Sequence, residues 1–378
     1  MRDPDRVPLQ DLDAHHEPLR AELAAAALRV LASGHFIAGA EVAALESEIG
    51  LALAVPHAVG VSSGSDGLLA ALMACGVGPG VEVVTTPFSF FASLGSILRL
   101  GARPVFADID ADTFNLDPEA ACARITPRTR AVLPVHLFGR AARLAVLAER
   151  CRQGSIALVE DAAQAVGASQ VDEARSDQPR GLGALSRAAV LSFFPSKNLG
   201  GFGDGGMVLT HDADLAARLR LLRSHGAAVK HLHQAVGGNF RLDELQAALL
   251  RVKLPHLSRW TARRREIASH YRERLAELPL RLPPPDPGCV WNQFVVRVPD
   301  GQRDRLRAHL ARAGVDSAVY YPLPLHLQPA VSALGWRRGD FPEAERAADE
   351  ALALPIFPEL TAGEVDRVAD ALRAFYAG

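Results

Sequence analysis

Short apolar runs alternate with helical stretches from about Ala58 to Thr210, and no other feature of the chain constrains its fold as strongly. Ala58–Val61, Val81–Thr85, Pro104–Ala107, Ala131–Val135, Ile156–Glu160, Ala188–Phe193 and Gly206–Leu209 read as strands. Gly67–Cys75, Phe91–Leu100 and Leu144–Cys151 read as helices between them, the first two stopped by Gly76 and Gly101. These strands are too continuously apolar to keep a wet face. Strands joined through helices pair in parallel, so the spacing predicts a parallel sheet covered by helices on both sides.

The pattern changes after about Leu245. Arg263–Leu278 carries Ile267, Tyr271, Leu275 and Leu278 on one helical face, with Arg and Glu opposite. A proline-rich connector, Leu282–Gly288, leads to a strand at Phe294–Val298, a helix at Arg303–Ala313 ended by Gly314, and a terminal amphipathic helix at Leu360–Phe375. This predicts a smaller α+β unit after the α/β one. A division into 1–250 and 251–378 suits 378 residues at about 150 residues per domain. The polar stretch Ser169–Arg180 reads as a surface excursion.

Composition removes several function classes. Apolar residues are 49% and charged residues 22%, with a net charge of −2. That is an ordinary soluble domain, neither an acidic disordered chain nor the basic surface a nucleic-acid partner needs. The charged start, Met1–Arg6, is followed by no apolar segment, so no signal peptide is expected. The longest greasy region, Leu68–Leu100, is broken by Gly76, Pro79 and Pro87. It falls short of the roughly 20 residues of a membrane span, and a cytoplasmic protein with no membrane partner is expected. Cys75, Cys122, Cys151 and Cys289 are scattered without a Cys-x-x-Cys pair, which favours buried free thiols over a metal site or disulfides.

Three constellations carry chemistry. Val61-Ser62-Ser63-Gly64-Ser65-Asp66-Gly67 lies between a strand and a helix, where free N–H groups hold anions; Ser65 or Asp66 as a simple helix cap is the plainer alternative. Val159-Glu160-Asp161-Ala162-Ala163-Gln164 delivers Asp161 at a strand's carboxyl end, where a carboxylate either holds a ligand or caps a helix. Leu191-Ser192-Phe193-Phe194-Pro195-Ser196-Lys197-Asn198-Leu199-Gly200-Gly201-Phe202-Gly203-Asp204-Gly205-Gly206 places a lysine in an apolar, glycine-rich setting. The chain has only Lys197, Lys230 and Lys253, with Arg elsewhere, so this is not a solubility device. Burial depresses a lysine's pKa and makes it nucleophilic, able to form a Schiff base. An anion cradle, a carboxylate and such a lysine together are what pyridoxal 5′-phosphate asks for: its phosphate, ring nitrogen and aldehyde each find a partner.

On these motifs the sequence resembles the DegT-type nucleotide-sugar aminotransferases, pyridoxal-phosphate enzymes of fold type I. Gly34-His35-Phe36-Ile37-Ala38-Gly39, Val135-His136-Leu137-Phe138-Gly139, Gly238-Asn239-Phe240-Arg241-Leu242-Asp243-Glu244-Leu245-Gln246 and Tyr321-Pro322-Leu323-Pro324-Leu325-His326 extend the match nearly end to end. The resemblance implies a large domain with a mostly parallel seven-stranded sheet and a smaller C-terminal domain. It implies Lys197 as the Schiff-base lysine, Asp161 as partner of the pyridine nitrogen and Gln164 as donor near the ring hydroxyl. Gly64, Ser65 and Ser192 would hold the phosphate, and Phe90 would stack on the ring. Asn239 would reach the phosphate of the other subunit, in a homodimer with shared sites. Tyr321, His326 and Arg241 would face the substrate. The implied substrates are an amino-acid donor, L-glutamate by family habit, and a nucleotide-linked keto sugar. Phe194 departs from the family's Tyr, and Ser63-Gly64-Ser65-Asp66-Gly67 from its Gly-Thr-Asp-Ala. The segment after the lysine resembles the branch acting on 3-keto rather than 4-keto sugars. An aminocyclitol aminotransferase and a non-catalytic regulatory protein on the same fold are the alternatives. A sugar dehydratase is disfavoured, because that branch carries His where Lys197 stands.

Overall fold

The apolar runs pair because a strand covered on both faces can meet its backbone hydrogen bonds only in a sheet interior. In the computed structural model, which describes residues 5–172, 176–229 and 231–378, seven of them form one sheet. They are His57–Val61 (β1), Glu82–Thr85 (β2), Arg103–Phe106 (β3), Thr129–Leu133 (β4), Ala157–Asp161 (β5), Ala188–Ser192 (β6) and Gly206–Thr210 (β7). Their order is β1-β7-β6-β5-β4-β2-β3. From β3 to β6 all pairs are parallel, as the alternation predicts. β7 departs from it, running antiparallel to both β6 and β1. No helix separates β6 from β7. The glycine-rich turn of residues 193–205 brings the chain straight back, with Ser192 opposite Gly206. β1 therefore runs parallel to β6, and the carboxyl ends of β1, β2, β5 and β6 share one edge.

Helix Gly64–Ala74 follows β1 and is buried almost all round, so it reads as one apolar stretch rather than as an amphipathic stripe. Its Leu68 and Leu72 join Val59, Val190 and Val208 from the sheet in one core. The sheet's other face packs against helix Ala40–Ala52 through Val42, Leu45 and Ile49. Ser169–Arg180, read as an excursion, contributes a hairpin of Ser169–Asp172 with Ser176–Gly181; residues 173–175 lie outside the described chain, as does Lys230.

A second core gathers Ile267, Tyr271, Leu275, Phe294, Leu306, Leu310, Leu352, Val365 and Leu372. Its strands, Phe294–Arg297 (β8) and Ala351–Leu354 (β9), pair antiparallel. Helix Leu257–Leu275 begins six residues before the amphipathic pattern, because the helix Glu244–Lys253 runs into it through a single 3₁₀ turn at Leu254–His256. The terminal helix Ala362–Ala377 starts on a capping box of Thr361 and Glu364. Val7 also belongs to this core and bridges Val315, so the N-terminal segment crosses to the C-terminal unit. Among the described residues no helix is long and apolar enough to cross a membrane.

Candidate active site

Ligands of open α/β sheets bind outside the strands' carboxyl ends, and the shared edge of β1, β2, β5 and β6 is where the three constellations meet. After β1 the chain turns into helix Gly64–Ala74. Its N-cap is Ser63, not Ser65 or Asp66: the Ser63 hydroxyl accepts from the Asp66 amide at 3.0 Å and the Ser63 carbonyl from Gly67 at 2.9 Å. The cap takes the third and fourth of the helix's first amides and leaves those of Gly64 and Ser65 for an anion. A Cβ on Gly64 would stand 2.8 Å from the Ser192 Cβ, and one on Gly206 would stand 2.6 Å from the Ser63 carbonyl carbon. Gly64, Ser63, Ser192 and Gly206 thus converge at a spot that only small residues leave open.

Asp161 ends β5, 4% exposed. Its Oδ2 accepts from the Ser93 hydroxyl at 2.7 Å and its Oδ1 from the Ala163 amide at 3.1 Å. Burial pushes its pKa up, against the pull of those two donors and of Lys197 and His136. Among the described residues no cation pairs with it directly. A pyridinium nitrogen is the kind of partner that this buried carboxylate lacks. Ser93, one turn into helix Phe91–Arg99, was not marked by the sequence. It shares this helix with a second buried hydroxyl, Ser96, so the sequence does not single it out.

Lys197 stands in the turn after β6. Its amide bonds the Phe194 carbonyl at 2.8 Å, and among the described residues no acceptor takes a hydrogen bond from its Nζ. Desolvation lowers its pKa to about 8, opposed by the attraction of Asp161. The same coupling acts on both groups, so Lys197 and Asp161 face one site. The shift brings the free amine, the form that attacks a carbonyl or takes a proton, closer to neutral pH.

Gln164 is oriented by two bonds: its Oε1 accepts from the Phe138 amide at 2.6 Å and its Nε2 donates to the Tyr321 hydroxyl at 3.1 Å. That brings Tyr321 to the site, its hydroxyl buried and its pKa raised by desolvation. Phe90 lies 6.3 Å from the Tyr321 ring, 59% exposed, with a free aromatic face. Arg241 bridges Val61 at the foot of the cradle, and its buried Nε has no hydrogen-bond partner among the described residues. Asn239 is exposed and does not cap the next helix, whose N-cap is Asp243.

His326 is not with them. Only 1% exposed, it packs against Phe341 at 4.8 Å and lies 3.1 Å from Glu345. Phe341 and Glu345 fix its ring in the interior of the protomer. Glu244 was also missed. Its carboxylate accepts from the amides of Gly39, Glu41 and Val42 at 2.8, 2.8 and 3.1 Å, closing the start of helix Ala40–Ala52 from a segment 202 to 205 residues away.

Residues 18–373 match the family described as the DegT/DnrJ/EryC1/StrS aminotransferase family. The chain is 45% identical over 371 residues, 97% of its length and 96% of the relative's, to a dTDP-3-amino-3,4,6-trideoxy-alpha-D-glucose transaminase of Streptomyces venezuelae. It is also 45% identical over 375 residues, 98% of both chains, to a protein of Geobacillus stearothermophilus named as a pleiotropic regulatory protein. A crystal structure of S. venezuelae DesV in complex with a ketimine intermediate superimposes with a TM-score of 0.93 at 44% identity, covering 98% of each chain.

Proposed function

The chain belongs to the DegT/DnrJ/EryC1/StrS aminotransferase family, and from that premise we propose that it moves an amino group from an amino acid, L-glutamate, to a keto group of a nucleotide-linked hexose, at C3 rather than C4. Aminotransferases of this family use pyridoxal 5′-phosphate. One observation carries the reading: a buried carboxylate without a cation among the described residues, a lysine whose pKa burial lowers to about 8 and two helix amides unclaimed by those residues meet at one sheet edge. The 3-amino sugar in the Streptomyces relative's name favours C3.

The residues fit the cofactor part by part. Gly64, Ser65 and Ser192 would hold the phosphate, Phe90 would cover a ring face, and Gln164 would donate toward the ring hydroxyl. When bound, pyridoxal phosphate supplies an aldehyde that takes up the amino group and a ring that withdraws electrons from the carbon being deprotonated. Asp161 keeps the ring nitrogen protonated, and Ser93 and the Ala163 amide hold the carboxylate in place for it. Lys197 Nζ would hold the cofactor by its aldehyde carbon. As a free amine it would take the proton from the donor's Cα and return one. The same moves in reverse deliver the amine to the sugar. Tyr321 and Arg241 line the approach to substrate.

The assembly is a homodimer in which Asn239 of each protomer completes the other's phosphate site. Support comes from its exposure and from Asp243, not Asn239, standing at the N-cap of the next helix. Exposed Val229, Leu232 and Val236 nearby supply an apolar surface for the partner.

The test is a panel of 3-keto and 4-keto nucleotide sugars and a keto cyclitol with glutamate, the product being read for amine position. A 3-amino product is expected; amination at C4 or of the cyclitol alone would replace the substrate reading. Borohydride reduction and peptide mapping should find the cofactor on Lys197. A protein that glutamate does not bleach would be a regulatory member of the fold.

A further inference from the structure

Lys253 is a buried lysine, 1% exposed, and nothing in the reaction above uses it. Its Nζ donates to the Gly200 carbonyl and lies 3.1 Å from His16 Nε2. The rings of Phe202 and Trp260 close around it, with centroids at 5.6 and 5.9 Å. The one acid that acts on it, Glu359, does so from beyond ion-pair range, and burial lowers its pKa to about 8. A Met would fill this space at lower cost than an ammonium with no carboxylate partner among the described residues. The position is therefore better explained by what the ammonium holds than by packing.

What it holds is the far side of the loop that carries Lys197. The loop is tight: a Cβ on Gly200 would run into the Pro195 carbonyl. The Gly201 amide returns to the Phe193 carbonyl at 2.7 Å. Lys253 grips the Gly200 carbonyl, while Gln246 Oε1 accepts from the Phe202 amide at 2.8 Å. Gln246 and Lys253 are seven residues apart, two turns, and so share one face of helix Glu244–Lys253. On the other side Gln10 Nε2 donates to the Ser196 carbonyl at 2.8 Å, and His16 from the same N-terminal segment meets Lys253. Asp161, not Lys253, is the charged group that acts on Lys197, so any influence of Lys253 passes through the backbone.

We infer that Lys253 is a positioning residue for Lys197: by holding the Gly200 carbonyl it sets the loop from which Lys197 Nζ approaches the reacting carbon. Arginine would not replace it, because a forked guanidinium does not fit where a point donor meets one carbonyl. The inference rests on Lys197 being the cofactor lysine.

The experiment uses the holoenzyme with Lys253→Met. It compares kcat and KM, the midpoint of the pH titration of the cofactor's absorbance, thermal unfolding and the site of borohydride trapping. The expected variant unfolds cooperatively and is trapped on Lys197. Its kcat falls about tenfold to a hundredfold with KM within about twofold, as for a reacting group displaced by about an ångström. The titration midpoint moves, since Lys197 no longer keeps one place beside Asp161. Wild-type kcat with an unmoved midpoint overturns the inference, and so does a rate that falls only in proportion to cofactor lost. If Lys253→Met does not accumulate folded, Gln246→Leu decides on the same readouts: a moved midpoint at unchanged KM supports the inference, an unmoved one overturns it. Trapping of the wild-type protein on another lysine overturns the functional reading and this inference together. Trapping on Lys197 with an indifferent Lys253→Met overturns this inference alone.

Discussion

The sheet edge around Lys197 and the C-terminal core are built on opposite principles. The C-terminal core is apolar, with Phe294, Leu306, Leu310 and Leu352 all fully buried, and its last helix opens on a complete capping box. The edge holds a buried carboxylate with no direct cation and a half-buried lysine with no acceptor among the described residues, and a second, buried lysine on one carbonyl, all around a turn in which glycines avoid backbone contact. One region is arranged for folding free energy. The other spends some of it to keep polar groups poised for a ligand.

This contrast predicts substitutions that separate activity from stability. Lys197→Met should lower the transamination rate about 10⁴-fold or more, the upper end of what a general acid–base group contributes. In cofactor-free protein it should nevertheless raise stability at neutral pH. The sign follows from the depressed pKa of about 8: the folded state pays to keep Lys197 charged below that value. The penalty fades as pH rises from there toward the ordinary lysine range, where the unfolded chain still binds the proton. Denaturant titrations of both proteins across that pH window check it; a variant less stable than wild type at pH 7 breaks the contrast.

Asp161→Asn should turn over very slowly and bind cofactor about 1–3 kcal/mol more weakly, because an amide cannot keep the ring nitrogen protonated or form the charge-assisted bond. Near wild-type rates would remove Asp161 from its role. Leu310→Ala should do the reverse. It should cost about 2–5 kcal/mol of stability through a cavity in the second core, while kcat per folded molecule stays unchanged. A change in kcat would show that the two regions are coupled. The smallest effect is expected from Thr361→Ala, about 1 kcal/mol from one lost cap, read as a small drop in unfolding temperature with no kinetic consequence.

Much of this was legible in the sequence. Apolar runs of strand length, separated by helices and stopped at Gly76 and Gly101, determine a covered parallel sheet because local sterics and burial leave few alternatives. A lysine among glycines and an aspartate at the end of an apolar run mark a site, because such residues are costly where they serve no chemistry. The tertiary structure decided what sequence spacing cannot carry. Ser93 meets Asp161 from 68 residues away, Lys253 meets Gly200 from 53, and Glu244 caps the Gly39–Val42 amides from more than 200. β7 reverses because a turn, not a helix, follows β6. Phe341 and Glu345 enclose the His326 ring. Periodicity records which face of an element is buried. It does not record which distant polar atom will stand opposite once the layers close, and that pairing is settled only when the buried donors and acceptors must find one another.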